Sequence, residues 1–296
     1  MAKVNRCLVC ESDDTAFILR CKDHLTGGGN FDIYSCKNCG FTFTADPPEE
    51  ADIENYYDTG DYISHSDTKK GFTNILFHFT RNLMLYRKRN IIRRATGLKT
   101  GTLLDIGCGT GYFAAFMKKG EWRVTGVEKD EGARNFAIEK FGLNVISESE
   151  IAGFQKEMSD CITLWHVFEH FHDPVKYLHD IHRILKPGGA CVIAMPNCSS
   201  FDAKYYRQFW AAWDVPRHLW HFSPDVFKTF SEKNGFKVTK IMKLPADVFY
   251  ISILSERYRG TNLPLLSGLI KGLWFTLLTF FNRKGNSSLI YILKLI

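Results

Sequence analysis

Three groups of residues in this sequence have types and spacings that chemistry could use. The first is Cys7-x-x-Cys10 with Cys36-x-x-Cys39, two thiol pairs separated by a short excursion. Four thiolates satisfy the tetrahedral preference of Zn²⁺ and leave no position open, so the expected site is structural. The second is Leu103-Leu104-Asp105-Ile106-Gly107-Cys108-Gly109-Thr110-Gly111, an apolar strand running into a glycine-spaced turn. Glycine accepts positive φ and lets a ligand approach bare backbone, and the helix that follows offers free N–H groups. Glu128 ends the next strand, where an acidic side chain can grip a ribose diol. The spacing is G-x-G-x-G rather than G-x-G-x-x-G, which argues against a pyrophosphate-bearing dinucleotide. The third group is histidines in two segments, Trp165 to Pro174 and Trp213 to Pro224. Imidazole titrates near neutrality and suits proton removal, which makes His166 and His218 the candidate catalytic residues.

These groups need elements to hold them. From Lys99 onward strand and helix patterns alternate, the mark of a mostly parallel α/β sheet with helices on both faces. Strands are expected at Thr102–Ile106, Arg123–Val127, Leu143–Ile146, Asp160–Trp165, Ala190–Met195, Gly235–Met242 and within Ser287–Leu295. Helices are expected at Gly111–Lys119, Asp130–Phe141, Asp173–Leu185 and Ser223–Asn234, with Phe201–His221 aromatic and irregular. The sequence divides at 1–46 (ribbon), 47–98 (a tyrosine-containing lid running to Tyr62, then a helix over Phe72 to about Thr96) and 99–296. Within the last part, 196–222 and 245–285 read as insertions covering the site.

Composition narrows the class. The chain has 296 residues, 45% hydrophobic, enough for one sizeable core and a small satellite. A net charge of +6 permits anionic partners without selecting one. Nine cysteines could suggest secretion, but Met-Ala-Lys-Val-Asn-Arg-Cys lacks a signal peptide's apolar stretch. A cytoplasmic protein with a metal-bound set of four cysteines is the expectation, membrane association remaining open. Leu263–Phe281 is nearly all apolar, with a helical stripe of Leu265, Leu266, Leu269, Ile270, Leu273, Trp274, Leu277 and Leu278. Lys271 near its centre argues against spanning a bilayer; a core helix, a homodimer contact and a peripheral membrane contact remain open.

Asp105 through Gly111 resembles motif I of class I S-adenosylmethionine (SAM)-dependent methyltransferases, Glu128 matches their ribose-binding acid, and Leu185-Lys186-Pro187-Gly188-Gly189 is similar to their turn before the fifth strand. The resemblance spans about Thr96 to Met242 and implies a Rossmann-like class I sheet with SAM as cofactor. It implies that Asp105 orients the methionine amine, that Gly107, Gly109 and Gly111 line the cofactor, and that Trp165 and His166 border it. Ubiquinone-pathway O-methyltransferases hold Mg²⁺ with two glutamates and a histidine in a segment similar to His166–His170; here His166 replaces one glutamate. The stretch Arg217-His218-x-x-His221-Phe222-Ser223 resembles Glu-His-x-x-Tyr-Phe-Ser of zinc-ribbon sugar C-methyltransferases, whose histidine is the base. On that match His218 is the base, and Arg217 stands where the glutamate would be.

The leading expectation is methyl transfer to a small-molecule, sugar or lipid-linked acceptor, at O or C. The alternatives are an RNA methyltransferase using its ribbon for RNA, and a non-catalytic SAM-binding protein. The modest charge and the absence of an Asn/Asp-Pro-Pro-Tyr motif after the fourth strand argue against nucleic acid.

Overall fold

A computed structural model describes residues 6–57 and 72–296, without the side chains of 72–81. Residues 58–71, which include the rest of the lid segment to Tyr62, therefore lie outside the described residues.

The central sheet has seven strands: β4 (Thr102–Ile106), β5 (Arg123–Val127), β6 (Asn144–Ile146), β7 (Ser159–Trp165), β8 (Leu185–Pro196), β10 (Phe236–Lys243) and β11 (Ser288–Leu295). Their order is β10-β11-β8-β7-β4-β5-β6. Strands β4 through β8 are mutually parallel, and β11 runs antiparallel between β8 and β10. The central strands carry near-continuous Leu, Ile and Val because both faces are covered. Leu104, Ile162, Ile193 and Leu293 are all fully buried.

The helices are α1 (Phe72–Thr96), α2 (Tyr112–Lys119), α3 (Glu131–Phe141), α4 (Pro174–Ile184), α5 (Phe201–Tyr206), α6 (Pro224–Lys233), α7 (Asp247–Tyr258) and α8 (Pro264–Phe281). Local signals set their starts. Asp130 caps α3 through Ala133 N, Asp173 caps α4 through Lys176 N, and Pro174 fills the first turn, where a missing N–H costs nothing.

The ribbon is a second sheet of β1 (Thr15–Lys22), β2 (Asn30–Cys36) and β3 (Thr42–Thr44). A fourth strand, β9 (Trp220–His221), comes from the segment read as irregular and pairs antiparallel with β3. Phe41 and Phe43 pack with Trp220, Phe222 and Phe168 in the same core as the central sheet. The two sheets share one interior.

Helix α8 reverses the usual orientation. Its buried residues are Gly268, Gly272, Phe275 and Thr279, while Leu265, Leu266, Leu269, Ile270, Leu273, Trp274, Leu277, Phe280 and Phe281 are exposed. The glycines permit this, because a Cβ on Gly268 would lie 2.5 Å from the Ile253 Cα of α7.

Candidate active site

Chain order reverses across β4, whose neighbours are β5 and β7; in open α/β sheets ligands bind beyond the carboxyl ends of strands at such a point. Gly107, Gly109 and Gly111 follow β4 and all take positive φ, 69°, 54° and 78°. The N–H groups of Gly107 and Cys108 both donate to Val127 O, fastening the turn to the end of β5. A side chain at Gly107 would strike Val167, 2.3 Å from its ideal Cβ, whereas the Gly109 Cβ position meets nothing within 4 Å. One glycine admits the neighbouring loop; the other leaves its surroundings open to a ligand. Glu128 Oε2 accepts from Gly109 N at 2.7 Å and Oε1 from Asp130 N at 3.1 Å, so the carboxylate is already aimed at the turn.

Asp105 is buried and accepts from Thr163 Oγ1 at 2.6 Å. Burial raises its pKa to about 6, partly opposed by Thr163 and Lys88. Lys88, on α1, lies with its ammonium 4.2 Å from the centroid of the Trp165 ring; burial lowers it to about 8, against the pull of Asp105 and Asp247. Trp165 also meets Phe113 edge-on, and its Nε1 is buried without a hydrogen-bond partner. An open glycine turn, an oriented acid and an unsatisfied indole N–H fit a cofactor that brings a ribose, a cationic amine and hydrogen-bond acceptors.

The two histidine segments meet. Leu219 N donates to Glu169 O, and Trp220 Nε1 donates to Phe171 O at 2.6 Å. Between them lies a charged cluster, with Glu169 buried and His166 and Asp247 partly buried. His166, at φ 57°, a left-handed conformation that non-glycine residues adopt mostly under local constraint, points Nε2 at Asp247 (2.8 Å) and Nδ1 at Glu169 (3.4 Å). Burial alone would lower its pKa, but Asp247 and Glu169 outweigh it and hold the ring at about 10, a fixed cation at neutral pH. Burial would raise Glu169, yet His166 and His218 bring it down to about 2. His170 is lowered to about 4 by burial and by the neighbouring His218, so it is neutral.

His218 is held by the backbone. Its Nδ1 stands 2.9 Å from Ala212 O, which can only accept, so Nδ1 is the donor there and Nε2 is the nitrogen left to take a proton. That nitrogen faces Asp214 Oδ2 at 3.7 Å and Glu169 Oε1 at 4.0 Å, two carboxylates able to stabilise an imidazolium.

The ribbon props this region. Thr44 Oγ1 donates to His218 O at 2.7 Å and lies 3.0 Å from His221 Nε2. Arg217 is buried and donates to Asp214, to Tyr56 O and to Asp23, the last fully buried, so one guanidinium ties the ribbon, the lid segment and the loop. Among the described residues, two sets of side chains could hold a metal. The Sγ atoms of Cys7, Cys10, Cys36 and Cys39 lie within 4.8 Å of one another, with Cys7–Cys39 and Cys10–Cys36 at 3.4 Å, near the spacing of about 3.8 Å for thiolates around tetrahedral zinc. Glu169, His170 and His218 also bring ligand atoms within 4.8 Å.

Asp105, Gly107, Gly109, Gly111, Glu128 and Trp165 thus gather at the carboxyl ends of β4, β5 and β7, and His166, which follows Trp165 directly, meets His218 through Glu169. No local signal marks Asp247 or Asp23, single residues of ordinary type; Lys88 sits in the basic cluster Arg87, Lys88, Arg89, Arg93 and Arg94, whose sequence allows substrate or anionic lipid but by default a solvated helix face.

Residues 78–241, more than half of the chain, match the family model described as a methyltransferase domain, and the chain belongs to that family. It is 31% identical over 108 residues to the ubiquinone biosynthesis O-methyltransferase of Alkalilimnicola ehrlichii, covering 34% of this chain and 44% of that one. To its Klebsiella pneumoniae counterpart it is 33% identical over 116 residues, 36% and 47% of the two chains. The chain therefore spans about half the length of the curated relatives it matches. The fold also resembles the 1,6-didemethyltoxoflavin-N1-methyltransferase of Burkholderia thailandensis, solved with S-adenosylhomocysteine, at a TM-score of 0.52 and 15% identity over 86% of this chain and 95% of that one.

Proposed function

We propose that the chain transfers a methyl group from SAM to a small-molecule, sugar or lipid-linked acceptor, with His218 as the base. SAM supplies an already activated methyl, so the protein's task is alignment and, for an O–H or C–H acceptor, removal of a proton. Asp105 holds the amine, Glu128 the ribose diol, and Gly107, Gly109 and Gly111 line the cofactor beside Trp165. The Ala212 carbonyl that Nδ1 faces carries the assignment, because it leaves Nε2 to take the proton, with Asp214 and Glu169 beside that nitrogen. His166, a cation braced by Asp247 and Glu169, orients rather than abstracts.

Residues 1–46 act as a ribbon whose zinc, held by Cys7, Cys10, Cys36 and Cys39, keeps the His218 loop in place; α1 brings Lys88 to Trp165, and 196–222 with 245–285 form the acceptor wall. The nine free cysteines suit a cytoplasmic protein. The ribbon carries five Lys and Arg against six Asp and Glu, no surplus for RNA. Through 263–281 the chain makes a peripheral contact, with a membrane or a second copy. Calorimetry with SAM, followed by radiolabelled methyl transfer into a fractionated small-molecule extract, tests the reading. Absence of SAM binding overturns it, as does unimpaired transfer by His218→Gln.

A further inference from the structure

Nine large apolar side chains stand outward on α8, Leu265 at 62%, Phe280 at 73% and Phe281 at 92% exposure, while its small and polar residues face α7. A helix inside a globular protein does the reverse. An exposed apolar face of this extent needs a covering, and the charge pattern says of what kind.

From Arg257 to Ile296 the chain carries Arg257, Arg259, Lys271, Arg283, Lys284 and Lys294 and not one Asp or Glu. The whole chain has 38 Lys and Arg against 32 Asp and Glu, so this stretch holds an excess equal to the entire net charge of +6, and the preceding 256 residues are balanced. Several of these cations border the apolar face. Lys271 lies 5.3 Å from the centroid of the Trp274 ring, Arg283 and Lys284 follow the helix end, Lys284 paired with Asp225, and Lys243, from outside the stretch, stands 5.3 Å from the centroid of Phe280.

We propose that α8 docks on an anionic bilayer, lying in the interface with Leu265, Leu269, Leu273, Trp274, Leu277 and Phe280 among the acyl chains and its cations at the phosphates. The inference deepens the peripheral contact proposed above and is independent of the chemistry. A symmetric dimer fits less well, because a two-fold contact sets the patch against itself, cation facing cation, with no carboxylate in the stretch to pair them. Spanning fits less well too. Eighteen residues reach about 27 Å, short of a hydrocarbon core of about 30 Å, and the buried face, Gly268, Gly272, Phe275 and Thr279, is held by the protein rather than open to lipid. Placement in the plane also brings the crevice to the membrane. Asp247, which holds His166, starts α7, and α7 packs directly on Gly268 and Gly272, so the lipid-facing side lies about one helix spacing, 8–10 Å, beyond. An acceptor carried on a lipid would arrive there without leaving the surface.

Co-sedimentation with phosphatidylcholine vesicles, with and without about a third phosphatidylglycerol, tests this without any acceptor. The full chain should bind the anionic vesicles, and 0.5 M salt should weaken binding by about tenfold or more. Leu269→Glu/Leu273→Glu should abolish binding with an unchanged thermal melt, since both side chains are exposed. Lys271→Glu/Arg283→Glu should weaken binding by about tenfold or more on anionic vesicles only. Equal binding to neutral and anionic vesicles overturns the proposal, and so does no binding to either. A mass that doubles with concentration, is halved by Leu269→Glu/Leu273→Glu and comes without vesicle binding overturns it in favour of a second copy. None of these outcomes bears on methyl transfer.

Discussion

The two ends of the crevice are built differently. At the cofactor end the glycine turn and Glu128 are local and joined through backbone N–H groups, while Asp105 and Trp165 reach Thr163 and Lys88 from elsewhere in the chain. Gly107 to Gly111 form one turn, Glu128 ends the adjacent strand, and the hydrogen bonds joining them cross neighbouring strands. The other end is assembled from distant side chains, with Thr44 and His218 174 residues apart and Asp23 and Arg217 194 apart. A local turn can keep its form while the wall opposite changes, which is how one fold hosts many acceptors. It also means that damage to one end should leave the other standing.

The largest expected effect tests that separation directly. His218→Ala should lower kcat by about 10²–10⁴-fold, the usual contribution of a general base, with SAM affinity near the parent's in calorimetry. A loss of tenfold or less would make His218 a loop anchor. Should His166→Ala carry the large loss instead, the base sits at the end of β7.

Zinc removal asks whether the ribbon serves only the distal end. Untagged protein should contain close to one zinc per chain by elemental analysis, and chelation, or Cys36→Ser, should lower kcat by about a hundredfold through misplacement of His218. SAM affinity should barely move. An equal loss of SAM binding would mean that the two ends are not separable.

Glu128→Ala attacks the cofactor end and should weaken SAM about ten- to a hundredfold, because charge-assisted hydrogen bonds to the diol and to Gly109 N disappear together. Unchanged affinity would remove Glu128 from the site.

The smallest effect is a pH dependence. Asp105, raised by burial to about 6, must be ionised to hold a cationic amine. SAM affinity should therefore fall by up to about tenfold per unit as pH drops below about 6, and Asp105→Asn should flatten the profile. The stability linkage has the opposite sign. A carboxyl raised above its unfolded value stabilises the unliganded fold below the ordinary carboxylate range, and that stability is lost as pH rises through about 6. A SAM titration flat from pH 5 to 7 would contradict the assignment.

The same division governs what could be read in the sequence. Leu103 to Gly111 and Gly126 to Glu128 carry their geometry in spacing, because strand, turn and helix are set by neighbouring residues, and the alternation that followed placed the seven strands of the central sheet. Asp247, Lys88 and Asp23 gain meaning only when folding brings them to His166, Trp165 and Arg217. The pairing of β9 with β3 was equally out of reach, since two residues make no period. For α8 the stripe was visible in the sequence, but the default that apolar residues turn inward pointed the wrong way: Gly268 and Gly272 made the opposite face the one that α7 could approach.

The pairing of β3 with β9 has a consequence for how the chain is made. Thr42–Thr44 leave the ribosome about 175 residues ahead of Trp220–His221, an interval of about 10–35 s at ordinary synthesis rates. During it the ribbon can fold around its metal while one flank of β3 presents unpaired N–H and C=O groups, the feature through which strands join foreign edges. The strand is only three residues long, which limits the exposed edge until its partner arrives.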